Sequence, residues 1–84
     1  MNQAYEKQVG ARIRFYREQR NMTQEQLSAK LQLSGCDITR SALAKIEVGQ
    51  RHIYMDELKL FHELLNAPYE DLLTHLSEAS PEQS

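Results

Sequence analysis

The sequence predicts an all-α fold of five short helices. Apolar residues recur three and four positions apart along most of the 84 residues, and helix-capping residues flank these stretches. No segment shows the strict alternation of apolar and polar residues that is typical of a half-buried strand. This length suits one small domain with a simple core. We expect it to occupy residues 1–76, and residues 77–84, which are polar and contain Pro81, to form a disordered tail.

The first two helices are delimited by their capping residues. The first is predicted over residues 3–20, and Asn21 tolerates the left-handed conformation that ends a helix. Its apolar stripe consists of Val9, Ile13 and Tyr16. Thr23 is predicted to cap the second helix, because Gln26 follows at the spacing of a capping box. The second helix is expected to end near Leu31.

A connection over residues 32–38 leads to the third helix. Thr39 is its predicted cap, and Gly49 is its predicted stop residue. Residues 50–54 should form a loop before the fourth helix, whose first turn carries two acidic residues and which ends near Asn66. Pro68 is then placed to begin a short fifth helix.

Charge is distributed unevenly along the chain. The net charge is −2, but residues 1–53 carry nine basic and five acidic side chains, whereas residues 54–84 carry one basic and seven acidic side chains. This asymmetry indicates one face for a polyanion and another that faces away from it, although clustering on solvated faces would give the same numbers.

Several classes of protein are disfavoured by what the sequence lacks. We expect no membrane segment, because no apolar run approaches about 18 residues, and the first residues do not resemble a signal peptide. The single cysteine, Cys36, fits a reducing cytoplasm and is interpreted as a turn residue, with a redox role as the alternative. The three histidines have no metal-ligand spacing with it. We therefore predict neither enzyme, nor cofactor, nor metal site.

The second and third helices, joined by a connection, have the arrangement of a helix-turn-helix motif. At about 100° per residue, one side of the third helix is apolar, and the other exposes small residues between two basic ones. The predicted base-contacting residues on that side are Arg40, Ser41, Ala44 and Lys45. An ordinary solvated helix face is the alternative interpretation.

Other residues are assigned to the same interface. Gln24 at the start of the second helix and Arg51 after the third are predicted to contact phosphate. His52 is a further candidate, with an ordinary loop position as the alternative. Arg17 and Glu47 extend the buried sides of their helices, so we expect them to form a structural ion pair.

Residues 9–73 resemble the phage repressor and Cro-like helix-turn-helix family, often called the XRE type. The resemblance is carried by ordered segments: residues 13–17, 22–27, 43–49, 56–58, 64–66 and 70–73. It implies a lambda-repressor-like domain of five helices that binds operator DNA, usually as a dimer. By position, it implies base contacts from Arg40, Ser41, Lys45 and Ala44, a phosphate contact from Gln24, and the pair of Arg17 with Glu47.

The sequence departs from the family pattern in four places. The connection over residues 32–38 is longer than the usual turn, and Ser28 stands where alanine is frequent. Ile53 replaces a frequent proline, and Tyr54 is a poor helix cap. The long connection matters most, since it bears on which bases the third helix reaches.

These features predict a cytoplasmic protein that binds operator DNA and regulates transcription, most simply as a repressor. One alternative is an antitoxin that binds a toxin protein and represses its own operon. Another is a protein-interaction module that has lost DNA binding, against which Arg40 and Lys45 count. We also expect a homodimer through the fifth helix and the end of the fourth, because the fifth helix carries more apolar surface than a short terminal helix easily hides. The residues assigned to that surface are Tyr69, Leu72, Leu73 and Leu76.

Overall fold

The computed structural model describes residues 3–73, which form five α-helices without a strand in that range. The helices are α1 Gln3–Gln19, α2 Gln24–Leu33, α3 Arg40–Glu47, α4 Met55–Leu65 and α5 Tyr69–Leu73. The all-α, five-helix prediction is therefore confirmed. Leu76 and the tail expected over residues 77–84 lie outside the described residues. Within the described range, no helix is both long enough and apolar enough to cross a membrane.

The predicted capping residues begin and end the helices. The Thr23 hydroxyl accepts the Gln26 backbone N–H at 3.0 Å, and the Gln26 side chain accepts the Thr23 N–H at 2.8 Å. Thr39 caps α3 in the same way, accepting the N–H of Ala42 at 3.1 Å. Asn21 follows α1 and Asn66 caps α4, both with left-handed backbone at φ 56° and 52°. These contacts satisfy backbone groups that a helix end otherwise leaves unpaired.

Helix α2 is longer than the sequence indicates, because it ends at Leu33 rather than near Leu31. Its backbone bonding continues until Gly35, which takes φ 87°. The Cys36 N–H then bonds the Leu31 carbonyl at 2.9 Å, and the Gly35 N–H bonds the Gln32 carbonyl at 3.0 Å. This is the Schellman arrangement, in which a left-handed glycine closes the helix. The connection to α3 therefore covers residues 34–39.

Ser28 holds this connection in place. Its hydroxyl is buried and donates to the Ile38 carbonyl at 2.7 Å, across ten residues of chain. The Gln32 side chain donates to the same carbonyl at 3.3 Å and to the Ser28 oxygen at 3.1 Å. A residue that departs from the family pattern thus anchors the segment that departs most from it.

The core joins all five helices. Its buried apolar residues are Val9, Ile13, Leu27, Leu31, Ile38, Leu43, Ile46, Phe61, Leu65, Ala67 and Leu72. Helix α1 crosses the end of α3 at Gly10, where an added methyl group would collide with the Ile46 carbonyl oxygen. Because glycine has no side chain, the backbones of α1 and α3 can approach each other closely at this crossing.

The assignment of Leu72 to a dimer surface is wrong, because Leu72 is fully buried in the core of its own chain. Leu73 is also partly buried against that core. Tyr69 remains 40% exposed, and its ring stacks on His62 with centroids 3.9 Å apart. The fifth helix therefore offers less free apolar surface than its sequence suggests, since α1 and α4 already cover one side of it.

Candidate nucleic-acid interface

Helix α3 separates a buried side from an exposed basic side. Leu43 and Ile46 are fully buried, whereas Arg40, Ser41 and Lys45 are exposed and Ala44 is half-buried. Within residues 3–73, neither Arg40 nor Lys45 takes part in an ion pair. Two positive charges therefore stand on the outer face of α3, with only small side chains between them.

A buried ion pair fixes the carboxyl end of α3 to α1. The Arg17 guanidinium donates to the Glu47 carboxylate through Nε at 2.7 Å and through Nη2 at 3.1 Å. Its remaining nitrogen donates to the Met22 carbonyl at 2.8 Å. The side chains of Arg17 and Glu47 are only 10% and 2% exposed. Because each desolvated charge has a bidentate partner, the pair holds the two helices in one register.

Gln24 joins this network at the surface. Its side-chain nitrogen donates to Glu47 Oε1 at 3.0 Å, so the carboxylate that orients Arg17 also orients Gln24. An amide nitrogen carries two N–H groups, and the second remains for an external acceptor. The sequence assigns Gln24 to phosphate, but nothing in its spacing indicates the contact with Glu47.

Arg51 lies in a contact that the sequence does not reveal. Its two terminal nitrogens donate to the two carboxylate oxygens of Glu57 at 2.7 Å and 3.2 Å. Glu57 also accepts the backbone N–H of Tyr54 at 3.1 Å, so it caps α4 where the Tyr54 side chain does not. Burial acts to raise the pKa of Glu57, but the hydrogen bonds from Arg51 and Tyr54 outweigh it and hold the pKa below its ordinary value.

His52 is engaged as well. Its Nδ1 contacts the Glu6 carboxylate, and its ring meets Tyr54 edge to face with centroids 4.9 Å apart. The loop after α3 is thus tied to both α1 and α4, by His52 and by Arg51. The loop position predicted for both residues is observed, but each has a carboxylate beside it.

The free thiol of Cys36 is half-buried in the turn after α2. Burial, followed by the nearby carboxylates of Glu57 and Asp56, raises the pKa of the Cys36 thiol, which keeps it protonated and unreactive near neutral pH. Cys36 occupies the turn that follows α2, as its sequence position suggests. No group of histidine, cysteine, aspartate and glutamate within the described residues could hold a metal ion.

Comparison with known proteins agrees with this geometry. The family described as Helix-turn-helix domain matches residues 10–78. This match confirms the family resemblance, and it begins seven residues after the start of α1. No curated protein and no solved structure gives a significant match to the chain.

Proposed function

Because this chain belongs to the helix-turn-helix domain family, we propose that it is a sequence-specific transcriptional regulator, and specifically a repressor. Helix-turn-helix proteins place the second helix of the motif in the major groove, which here is α3. The observation that carries the proposal is the outer face of α3, where Arg40 and Lys45 are exposed without a carboxylate partner among the described residues. A protein that occupies an operator in this way represses by excluding other proteins from it.

The chemistry of this face suits base edges. Arg40 and Lys45 are donors for guanine O6 and N7, and the Ser41 hydroxyl both donates and accepts. Ala44 offers a methyl group for apolar contact with thymine. These small residues leave room for α3 in a groove about 12 Å wide.

The residues proposed to contact phosphate differ in how many of their donor groups a carboxylate already occupies. Gln24 keeps one amide N–H and is oriented by Glu47, so it needs little rearrangement to bind phosphate. Arg51 and His52 already face Glu57 and Glu6, and a phosphate would have to compete with those carboxylates. We therefore expect Gln24 to contribute more than either loop residue.

A homodimer completes the proposal. Two copies related by a two-fold axis would place their recognition helices in half-sites about 34 Å apart. With Leu72 buried, the predicted set retains an exposed Tyr69 and a half-buried Leu73 among the described residues. Sedimentation of the protein alone and with DNA tests this, and a monomer in both samples at tens of micromolar would contradict it.

The deciding experiment selects bound sequences from random duplex DNA and then titrates the preferred site. We expect Arg40→Ala to cost about 1–3 kcal/mol of binding free energy at the preferred sequence and to relax specificity at particular base positions. Lys45→Ala should act in the same way, whereas Lys59→Ala on α4 is a control of equal charge change. The proposal fails if Arg40→Ala and Lys45→Ala both bind the selected site as tightly as the unaltered chain.

A further inference from the structure

The first two turns of α1 lie outside the family match but against the recognition helix. The match begins at Gly10, whereas α1 begins at Gln3. A Cβ added to Gly49, the residue after the α3 cap, would lie 2.6 Å from Lys7 Cα and 2.7 Å from Lys7 Cβ. The backbone of this extension therefore lies directly on the point where α3 ends.

Lys7 lines a shallow cavity beside the carboxyl end of α3. The cavity is lined by Ala4, Lys7, Val48, Gly49 and Gln50. Lys7 is exposed, and none of the described residues forms an ion pair with it. Its neighbour Glu6 is engaged by His52 instead. The extension therefore presents a positive charge that no carboxylate of residues 3–73 neutralises.

Gln24, the first residue of α2, lies at the same end of α3. Gln24 contacts Glu47 at 3.0 Å, and Lys7 lies against Gly49, so both residues contact the carboxyl end of the recognition helix. The Val48 side chain, which lines the cavity together with Lys7, is 49% exposed and apolar. An anion that approaches this end of α3 therefore has an amide donor from α2 and an ammonium donor from α1 available.

We propose that Lys7 binds a DNA phosphate next to the one bound by Gln24, so that α1 extends the contact with one strand of the backbone. This inference rests on the proposed function. The Lys7 ammonium is a compact charge on a flexible stem, which suits a phosphate contact that positions the protein without reading sequence. Gly49 serves this contact because any side chain there would push Lys7 away.

The test titrates the selected DNA duplex with Lys7→Ala at several salt concentrations. We expect affinity to fall about tenfold for the preferred site and for unrelated duplexes alike. The plot of log affinity against log salt should flatten by about 0.9, the value for one phosphate contact. Lys7→Arg should retain the slope, and Lys59→Ala is the control.

Thermal unfolding separates this role from a structural one. A lysine near the end of α3 could instead stabilise that helix through its exposed carbonyl groups, and its removal would then lower the unfolding temperature. Unchanged affinity and salt slope in Lys7→Ala, while the unaltered chain binds the selected site, would overturn the Lys7 contact and leave the proposed function standing. Absence of DNA binding by the unaltered chain would overturn both.

Discussion

At its carboxyl end α3 lies against α1, backbone to backbone, whereas at its amino end it follows a six-residue connection that touches the core mainly through Ile38. A left-handed glycine lies near each end of α3: Gly35 closes α2 before α3 begins, and Gly49 closes α3 itself. A Cβ on Gly35 would meet nothing within 4 Å, but one on Gly49 would meet the Lys7 backbone. The same backbone turn therefore has open space around Gly35 and is packed against α1 at Gly49.

The difference shows how a small domain positions a recognition helix. The carboxyl end is fixed by steric contact at Gly10 and Gly49 and by the buried pair of Arg17 with Glu47. The amino end is fixed by the bonds from Ser28 and Gln32 to one carbonyl. Changes at the two ends should therefore have effects of different size.

The largest effect is expected from Glu47→Gln. Removing one charge of a buried pair typically costs about 3–5 kcal/mol, because the other charge stays buried without compensation. Denaturant unfolding measures this loss. Glu63→Gln is the matched control, since Glu63 is exposed on α4 and forms no ion pair among the described residues, and surface charges of this kind contribute about 0–1 kcal/mol. Equal losses in the two variants would contradict the structural importance of the buried pair.

A sharper comparison of the two ends uses the glycines themselves. Gly35→Ala should cost about 1 kcal/mol, the penalty for a Cβ in left-handed backbone. Gly49→Ala should cost about 3 kcal/mol, because overpacking against the Lys7 backbone is added to that penalty. The unfolding midpoints of both variants, measured side by side, provide the test. If Gly35→Ala lost as much stability as Gly49→Ala, the contact with α1 would be ruled out as the cause.

Ser28→Ala is expected to cost less than Glu47→Gln and Gly49→Ala. This change leaves the buried Ile38 carbonyl with only the weaker bond from Gln32, and losing a partner of a buried polar group costs about 1–3 kcal/mol. We expect about 2 kcal/mol, together with faster hydrogen exchange of the amides in residues 34–39. Ala29→Gly, a neighbouring change on the exposed side of α2, controls for helix propensity. Unaltered exchange in that connection would show that Ser28 does not anchor it.

Much of the fold follows from local rules that act along the chain. Apolar spacing defines the helices, and Thr23, Thr39, Asn21 and Asn66 mark their ends, because a cap satisfies backbone groups within a few residues. The exposed face of α3 also follows from periodicity alone. The predicted end of α2 is two residues too early, because Gln32 and Leu33 carry no stop signal and only Gly35 provides one.

Contacts between elements were harder to predict. The pairing of Arg17 with Glu47 could be expected, since two charges on buried stripes must compensate each other. Neither the pairing of Arg51 with Glu57 nor the approach of Lys7 to Gly49 has a signal in sequence spacing. Likewise, the sequence identifies Leu72 as apolar, but only the packing shows that Leu72 is buried in the core of the same chain.

The five helices, their caps and the basic outer face of α3 can be predicted from local patterns, because apolar period and capping act within one or two helical turns. Which of the basic residues keep a free charge depends instead on how the helices pack. Arg51 and His52 meet carboxylates, whereas Arg40, Lys45 and Lys7 meet none among the described residues. The physical reason is that a charge is neutralised by whatever neighbour the folded chain brings within a few ångströms. That neighbour need not lie at a helical spacing: Glu57 follows Arg51 by six residues across a loop, and Glu6 precedes His52 by 46 residues.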